Sequence, residues 1–157
     1  VRLTLAPWLG LALTLLVYSH ALRPWLPIPQ RLDATHRLDG WTTLGAAIDV
    51  ERRRYPEAFL FTSSHNITGV IGFYAQGHPE VYERERIRYP YLGDVDYAAL
   101  PGKTGIYVTR AEDDQSRDMA QHFSRFTLLQ EVPLYRAGER FASFRLYLGE
   151  NYRGGLL

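Results

Sequence analysis

The stretch LTLAPWLGLALTLLVYSHAL (residues 3–22) contains no Asp, Glu, Lys or Arg, and Arg2 and Arg23 flank it. Twenty residues in an α-helix extend about 30 Å, which matches the hydrocarbon core of a bilayer. The aromatic residues toward its two ends are Trp8, Tyr18 and Trp25, and amphipathic rings favour the membrane–water interface. The stretch therefore predicts a transmembrane helix over residues 1–24.

Two other interpretations of this stretch stay open. A secretory signal peptide also has a basic residue before an apolar core, but this apolar run is long, and no small-x-small cleavage site follows it. The chain leaves it instead through RPWLPIP (23–29), whose prolines predict an extended spacer over residues 25–38. A buried core helix is the third interpretation. More basic residues follow the stretch than precede it, so its flanks alone would place the domain in the cytoplasm.

Composition limits what the remaining chain can be. The 157 residues suffice for one domain with its own core, which we place at residues 39–157. A net charge of +1 argues against a polybasic nucleic-acid binder, and the absence of cysteine excludes disulfides and thiolate metal sites. Val1 stands where a chain would begin with Met, so we expect a piece of a longer protein in which the apolar helix is the last of many spans.

Apolar periodicity and caps predict the elements of the domain. In chain order they are a helix from Asp39 or Thr42 to about Arg54, a strand over 58–62, a helix from Ser64 or Asn66 to Tyr74, strands over 80–83 and 105–109, a helix from Asp113 or Asp114 to about Phe123, and a hairpin of 126–132 with 141–148. This order predicts a small three-layer α/β sandwich with a mixed sheet, in which the first strands are parallel and the last two antiparallel.

His65 and Asn66 follow a predicted strand and open a predicted helix. Side chains in that position face the usual ligand crevice of open α/β sheets, so both are candidate substrate-binding residues. The alternative is that Asn66 only caps the helix.

The segment that begins at residue 83 alternates charged and aromatic residues. Its arginines and tyrosines are Arg84, Arg86, Arg88, Tyr89 and Tyr91, interleaved with Glu83 and Glu85. A loop facing a phosphate or lipid headgroup would have this composition, and so would a solvated edge strand. Asp94 and Asp96 with Glu83 or Glu85 give a weak indication of a divalent metal site.

Several segments, taken in order, carry a resemblance to a known family. These are the proline-rich exit at 26–29, Gly40-Trp41, the run FYAQGHP (73–79), Val81-Tyr82, Gly105 with Val108-Thr109, FRLY (144–147) and YRG (152–154). They resemble the C-terminal region of bacterial polytopic GT-C-type membrane glycosyltransferases. That family includes protein O-mannosyltransferases (dolichyl-phosphate-mannose-protein mannosyltransferases) and lipid A aminoarabinose transferases. Tyr74 and Tyr82 lie within these motifs and complete the candidate substrate-binding set.

The resemblance implies an enzyme that transfers a sugar from a polyprenyl-phosphate donor to a protein or lipid acceptor. The domain would cover the membrane-embedded site on the periplasmic or extracellular side of the bacterial inner membrane. The family's catalytic acidic loop lies far upstream, so these residues alone would be inactive, and no cofactor is expected in them. A divalent metal is an expectation for the whole enzyme only. The partners implied are membrane lipid, the donor and the upstream membrane part, and the alternative is a single-pass anchored α/β domain that binds a ligand or protein without catalysis.

Overall fold

A computed structural model of the chain describes residues 2–29, 32–33, 35, 40–83, 97–136 and 138–155. The helices are α1 (Arg2–Leu22), α2 (Trp41–Arg54), α3 (His65–Tyr74) and α4 (Ser116–Ala120). The strands are β1 (Phe59–Thr62), β2 (Val81–Glu83), β3 (Gly105–Arg110), β4 (Phe123–Arg136) and β5 (Glu139–Tyr152). A 3-10 turn covers Tyr97–Ala99. The predicted α/β class is confirmed.

The five strands form one mixed sheet in the order β2-β1-β3-β5-β4. β1 pairs in parallel with β2 and with β3, whereas β5 pairs antiparallel with both β3 and β4. This is the predicted arrangement of parallel strands first and an antiparallel hairpin last. Since β5 reverses direction between its two neighbours, β4 runs in the same direction as the parallel strands.

α1 lies outside the core of the domain. Its window Leu5–Leu22 has a mean hydropathy of 1.5 and is long and apolar enough to cross a membrane. Large apolar side chains along it are exposed, including Trp8 at 69% and Leu15 at 61%, and within residues 5–22 only His20 is buried. A core helix of a soluble domain would be mostly buried, so that interpretation is wrong for α1.

α2 begins differently from the prediction. Gly40 occupies the N-cap position with a φ of 80° and provides no side-chain cap, while Thr42 lies inside the helix and Asp39 lies outside the described residues. A Cβ at Gly40 would lie 2.8 Å from Leu134 Cδ1, so close packing and a left-handed backbone both require glycine here. The predicted end at Arg54 is confirmed.

Helices α2 and α3 cover one face of the sheet. The core between them contains Leu44, Ile48, Leu60, Ile67, Ile71, Ile106, Val108, Phe144 and Leu146. Trp41 and Ala47 pack against it, so they lie on the same apolar face of α2 as Leu44 and Ile48. Burial of each such aliphatic side chain contributes about 1.5–3 kcal/mol.

The other face of the sheet is aromatic. Its buried residues are Phe59, Phe61, Leu100, Tyr107, Met119, Phe123 and Tyr152. In the part of the chain that the structure describes, α4 and the turn before Leu100 contribute its cover. α4 has five residues and ends before Phe123, because Phe123 instead begins β4 and stacks on Phe61 at 5.5 Å. The three-layer sandwich therefore stays a prediction.

The β4–β5 hairpin is longer than the prediction, since each strand has 14 residues. Register shifts between Leu128 and Gln130 and between Leu134 and Tyr135 interrupt the alternation that marks a strand in sequence. Arg110, the last residue of β3, pairs with Phe144, which pairs with Val132. Four more residues of β4 follow Val132, so the hairpin projects about 13 Å beyond the end of β3.

A buried polar cluster joins the end of α1 to the end of β4. Arg136 lies 3.4 Å from Asp33 Oδ2 through Nη1, and its Nη2 donates to the His20 carbonyl at 3.4 Å and to Thr35 Oγ1 at 2.7 Å. Asp33 Oδ1 accepts from the Thr35 amide and hydroxyl. The Thr35 hydroxyl bond is the largest effect that holds the pKa of Asp33 below its ordinary value.

His20 is held in one tautomer by this cluster. Its Nδ1 accepts the backbone N–H groups of Trp25 and Leu26, each at 3.1 Å. A nitrogen that accepts hydrogen bonds carries no proton, so Nε2 carries it and donates to Asp33 Oδ2 at 3.3 Å. The ring is therefore neutral, and it also ends α1 by binding the first free amides of the spacer.

Gly45 tests the close contact of α2 with α3. A Cβ at Gly45 would lie 2.5 Å from the Tyr74 carbonyl oxygen, whereas nothing lies within 4 Å of one at Gly69. We expect Gly45→Ala to lower the free energy of unfolding by about 1–3 kcal/mol because backbone must move. Gly69→Ala in α3 should raise it by about 0.5–1 kcal/mol through helix propensity. Urea unfolding of the full chain in detergent measures both, and equal effects would contradict this packing.

Candidate functional site

The carboxyl ends of β1, β2 and β3 form the edge where open α/β sheets bind ligands. Thr62, Glu83 and Arg110 end these strands. The chain continues from β1 through α3 to β2 on one side, while β3 lies on the other side of β1. Such a switch in strand order leaves a crevice beyond β1 and β3.

His65 and Asn66 lie at this edge, in the first turn of α3, and both are exposed. His65 Nδ1 is 3.5 Å from Glu83 Oε2, and the Glu83 side chain is only 9% exposed. The pair connects the start of α3 to the end of β2. Capping by Asn66 is wrong, because Ser64 holds the N-cap position without a side-chain cap bond and Thr62 Oγ1 instead accepts the Ser64 amide at 3.1 Å.

A hydroxyl pair lies at the carboxyl edge between β1 and β3. Ser63 Oγ and Tyr107 Oη are 2.8 Å apart. The Tyr107 ring is fully buried and packs 5.0 Å from the Phe61 ring. The half-buried Ser63 hydroxyl therefore links the carboxyl edge to the aromatic core.

Asp114 anchors a second polar group in the loop after β3. Its Oδ2 accepts from Tyr147 Oη at 2.5 Å and from Arg145 Nη1 at 2.9 Å, and its Oδ1 accepts the Ser116 amide at 2.8 Å. Burial acts to raise the pKa of the Asp114 carboxyl, but the bonds from Tyr147, Arg145 and Ser116 lower it below 3.8. Burial raises the pKa of the Tyr147 phenol, and its bond to Asp114 raises it further.

Arg145 extends this group along the hairpin. Its Nε donates to Glu131 Oε2 at 3.3 Å, and Glu131 Oε1 also accepts from Ser143 and Arg140 at 2.7 Å each. The hydrogen bond from Ser143 lowers the pKa of the Glu131 carboxyl, and Arg145 lowers it further. The two carboxylates raise the pKa of the Arg145 guanidinium. A polar ladder therefore runs along the hairpin from Arg145, which pairs with Thr109 of β3, to Arg140, which lies beyond the end of β3.

Tyr74 and Tyr82, the other candidate residues that the structure describes, do not join His65 and Asn66. Tyr74 ends α3, about 15 Å along the helix from its start. Tyr82 lies on the aromatic face, with its ring 5.6 Å from Phe59, and donates its hydroxyl to Glu80 at 3.3 Å. Arg86, Arg88, Tyr89 and Tyr91 lie outside the described residues, as do Asp94 and Asp96. The loop that they would form stays a prediction.

An open groove of about 700 Å³ lies at the opposite edge, where the parallel strands begin. Asp49 and Arg52 line it, but Asp49 accepts the Gln76 amide at 3.0 Å and Arg52 donates to the Gln76 carbonyl at 2.8 Å. These side chains hold α2 to the turn after α3. Their polar groups are therefore committed to the fold.

A metal site finds no support in the described part of the chain, where no three His, Cys, Asp or Glu side chains converge. Two polar groups were missed in the sequence: the His20–Asp33–Arg136 cluster and the Asp114–Arg145–Tyr147 group. There was an indication in the sequence only for the His20–Asp33–Arg136 cluster. His20 is the only histidine within the apolar stretch 3–22, and an ionisable residue in a membrane span usually has a polar partner.

Asp114 makes a pH dependence testable. A lowered folded pKa contributes stability above the ordinary carboxyl pKa and loses it as pH falls through the folded value. We expect Asp114→Asn to lower the free energy of unfolding by about 1–3 kcal/mol at pH 7, with the gap to wild type closing below about pH 4. Asp113→Asn, at an exposed neighbour, is the control and should change it by less than about 0.5 kcal/mol. Chemical denaturation between about pH 2 and 7 measures the difference in free energy of unfolding between wild type and Asp114→Asn. A difference that does not change with pH would contradict this role of Asp114.

Comparison with known proteins identifies no relative: no protein-family model, no curated protein and no solved structure matches the chain. The likeness to GT-C-type glycosyltransferases therefore stays an expectation from its motifs.

Proposed function

We propose that residues 39–157 are the extramembrane domain of a membrane glycosyltransferase that transfers a sugar from a polyprenyl-phosphate donor to a protein or lipid acceptor. In this proposal α1 spans the bacterial inner membrane, and the domain covers the membrane-embedded site from the periplasmic side. The motif resemblance supports the reaction and the compartment. The contact of Arg136 with His20 supports the position of the domain, and it is the observation that carries the proposal.

Together with this contact, the strand directions indicate how the sheet is oriented relative to the end of α1. β4 ends at Arg136, beside the end of α1. β3 runs in the same direction as β4 and is parallel to β1, which is parallel to β2. Neighbouring strands rotate by about 20–25°, so β1 departs from β4 by about 60–75°. The carboxyl edge with His65 would then face the membrane surface at which α1 ends.

The projecting hairpin would leave space between that edge and the lipid. Its extension of about 13 Å beyond β3 is the height of a sugar phosphate with room for an acceptor group. Arg145 pairs with Thr109 near the end of β3, so the Asp114–Arg145–Tyr147 group and Glu131 would border the space at the sheet edge, as would His65 and Asn66. Ser143 and Arg140 would line the projecting part of the hairpin. Carboxylates, hydroxyls and an arginine are the groups that bind sugar hydroxyls and phosphate.

The domain would act as a lid that binds and excludes water, and catalysis would come from elsewhere. The resemblance implies a catalytic carboxylate in an upstream extramembrane loop, which would activate the acceptor or hold a divalent metal. A second helical layer, formed by α4 together with the segment between β2 and β3, would complete the three-layer sandwich.

A membrane-tethered binding domain without catalysis is the second candidate. It rests on α1, which is long and apolar enough to cross a membrane, and on the carboxyl edge of the α/β domain as a binding surface. Such a domain would have the same fold but no affinity for a lipid-linked sugar. The coding sequence upstream of Val1 separates the two, because the glycosyltransferase requires further spans and an acidic first loop there.

Donor binding tests the site itself. The full chain in phospholipid nanodiscs should bind a short-chain polyprenyl-phosphate mannose more tightly than the polyprenol of equal length. His65→Ala should weaken binding about tenfold, because about 1.4 kcal/mol of hydrogen bonding is lost. Lys103→Ala, at the opposite groove, is the control and should leave the affinity unchanged. Equal affinity for polyprenol, or a loss with Lys103→Ala alone, would refute the assigned edge.

A further inference from the structure

We propose that the tip of the β4–β5 hairpin, together with the segment that follows α1, sits in the headgroup region of a lipid bilayer. This inference rests on the span proposed for α1 and assigns the surface through which the domain contacts the membrane. The partner is a phospholipid surface, recognised by exposed aromatic and aliphatic side chains.

The depth of the hairpin follows from one contact. The apolar window ends at Leu22, and the carbonyl of His20, in the last turn of α1, accepts from Arg136 Nη2 at 3.4 Å. Arg136 is the last residue of β4. A hairpin whose end touches the last turn of a span lies at the boundary of the hydrocarbon, within a few ångströms in depth.

The side chains exposed at this level suit an interface. Tyr135 is 58% exposed, Trp25 56%, Ile28 40% and Leu32 69%. Large apolar side chains gathered near the end of a span are unfavourable in water and favourable among headgroups, where Trp and Tyr rings concentrate. Trp25 is also fixed along α1, because its Nε1 donates to Ser19 Oγ at 3.2 Å.

The buried ionisable groups beside the end of α1 are paired with one another, which suits a region of low dielectric constant. Arg136 and Asp33 pair at 3.4 Å with side chains 6% and 10% exposed, and His20 is neutral because its Nδ1 accepts two amides. The cluster thus carries no net charge. An unpaired ion in hydrocarbon would be strongly unfavourable, so the pairing lets Arg136 and Asp33 lie close to the hydrocarbon boundary. The exposed charges at this level, Arg23, Glu139 and Arg140, would lie among the polar headgroups.

Cysteine labelling measures these depths, because the chain has no native cysteine. Single variants Tyr135→Cys and Leu32→Cys would carry a nitroxide in liposomes of phosphatidylethanolamine and phosphatidylglycerol. The matched control is Leu128→Cys, whose side chain is 49% exposed on the same strand and lies about 25 Å from Arg136. Leu11→Cys in α1 reports the span itself. Collision with oxygen and with a water-soluble nickel complex gives the depth of each label.

The expected result is a deep label at position 11, headgroup depth at 135 and 32, and water at 128. Nickel collisions at 135 should be severalfold fewer than at 128. A deep label at 11 with water at 135 and 32 would overturn the contact surface and leave the span intact. Water at 11 would refute the span, and lipid depth at 128 would show that the contact is not confined to the hairpin tip.

Discussion

Arg136 joins the end of β4 to two other parts of the chain. It donates to the His20 carbonyl in the last turn of α1, and in the spacer it forms an ion pair with Asp33 and donates to Thr35. A buried arginine is tolerated only with such partners, and removing one partner of a buried pair costs about 3–5 kcal/mol. The relation between the apolar helix and the sheet therefore depends on this side chain. Without it, we expect the proline-rich spacer to leave the domain free to turn relative to α1.

The sheet topology relates the contact at Arg136 to the carboxyl edge of the parallel strands. β5 is antiparallel to both β3 and β4. The carboxyl ends of β4 and of the parallel strands therefore lie on the same side of the sheet. A contact at Arg136 consequently fixes which edge approaches the end of α1. It is the edge with His65, Ser63 and the loop of Asp114, whereas the polar groups of the groove at the other edge hold α2 to the turn after α3. The end of α1 and the candidate site are thus linked by strand direction.

The sequence predicted what local patterns determine. The helix ending at Arg54 and the helix ending at Tyr74 were confirmed, and the strand predicted over 58–62 is β1 (Phe59–Thr62), since periodicity and helix breakers lie within each segment. The placement of His65 at a strand end was also predictable. Gly40 as the start of α2 was not, because Leu134 excludes a larger residue there. The His20–Asp33–Arg136 cluster joins residues 116 positions apart, and no single-sequence pattern encodes such a contact. Glu83 with His65 and Asp114 with Tyr147 are tertiary pairs of the same kind.

The distance between α1 and the sheet tests this account most directly. Nitroxides at Leu15→Cys and Leu128→Cys, both exposed positions, would report it by pulsed electron resonance on the full chain in liposomes. The account predicts one narrow distance distribution in the otherwise native chain and a broad one when Arg136→Gln is added, because the buried pairing with Asp33 is lost. A distribution that is already broad before that substitution, or one that stays equally narrow after it, would contradict a domain held to its helix by Arg136.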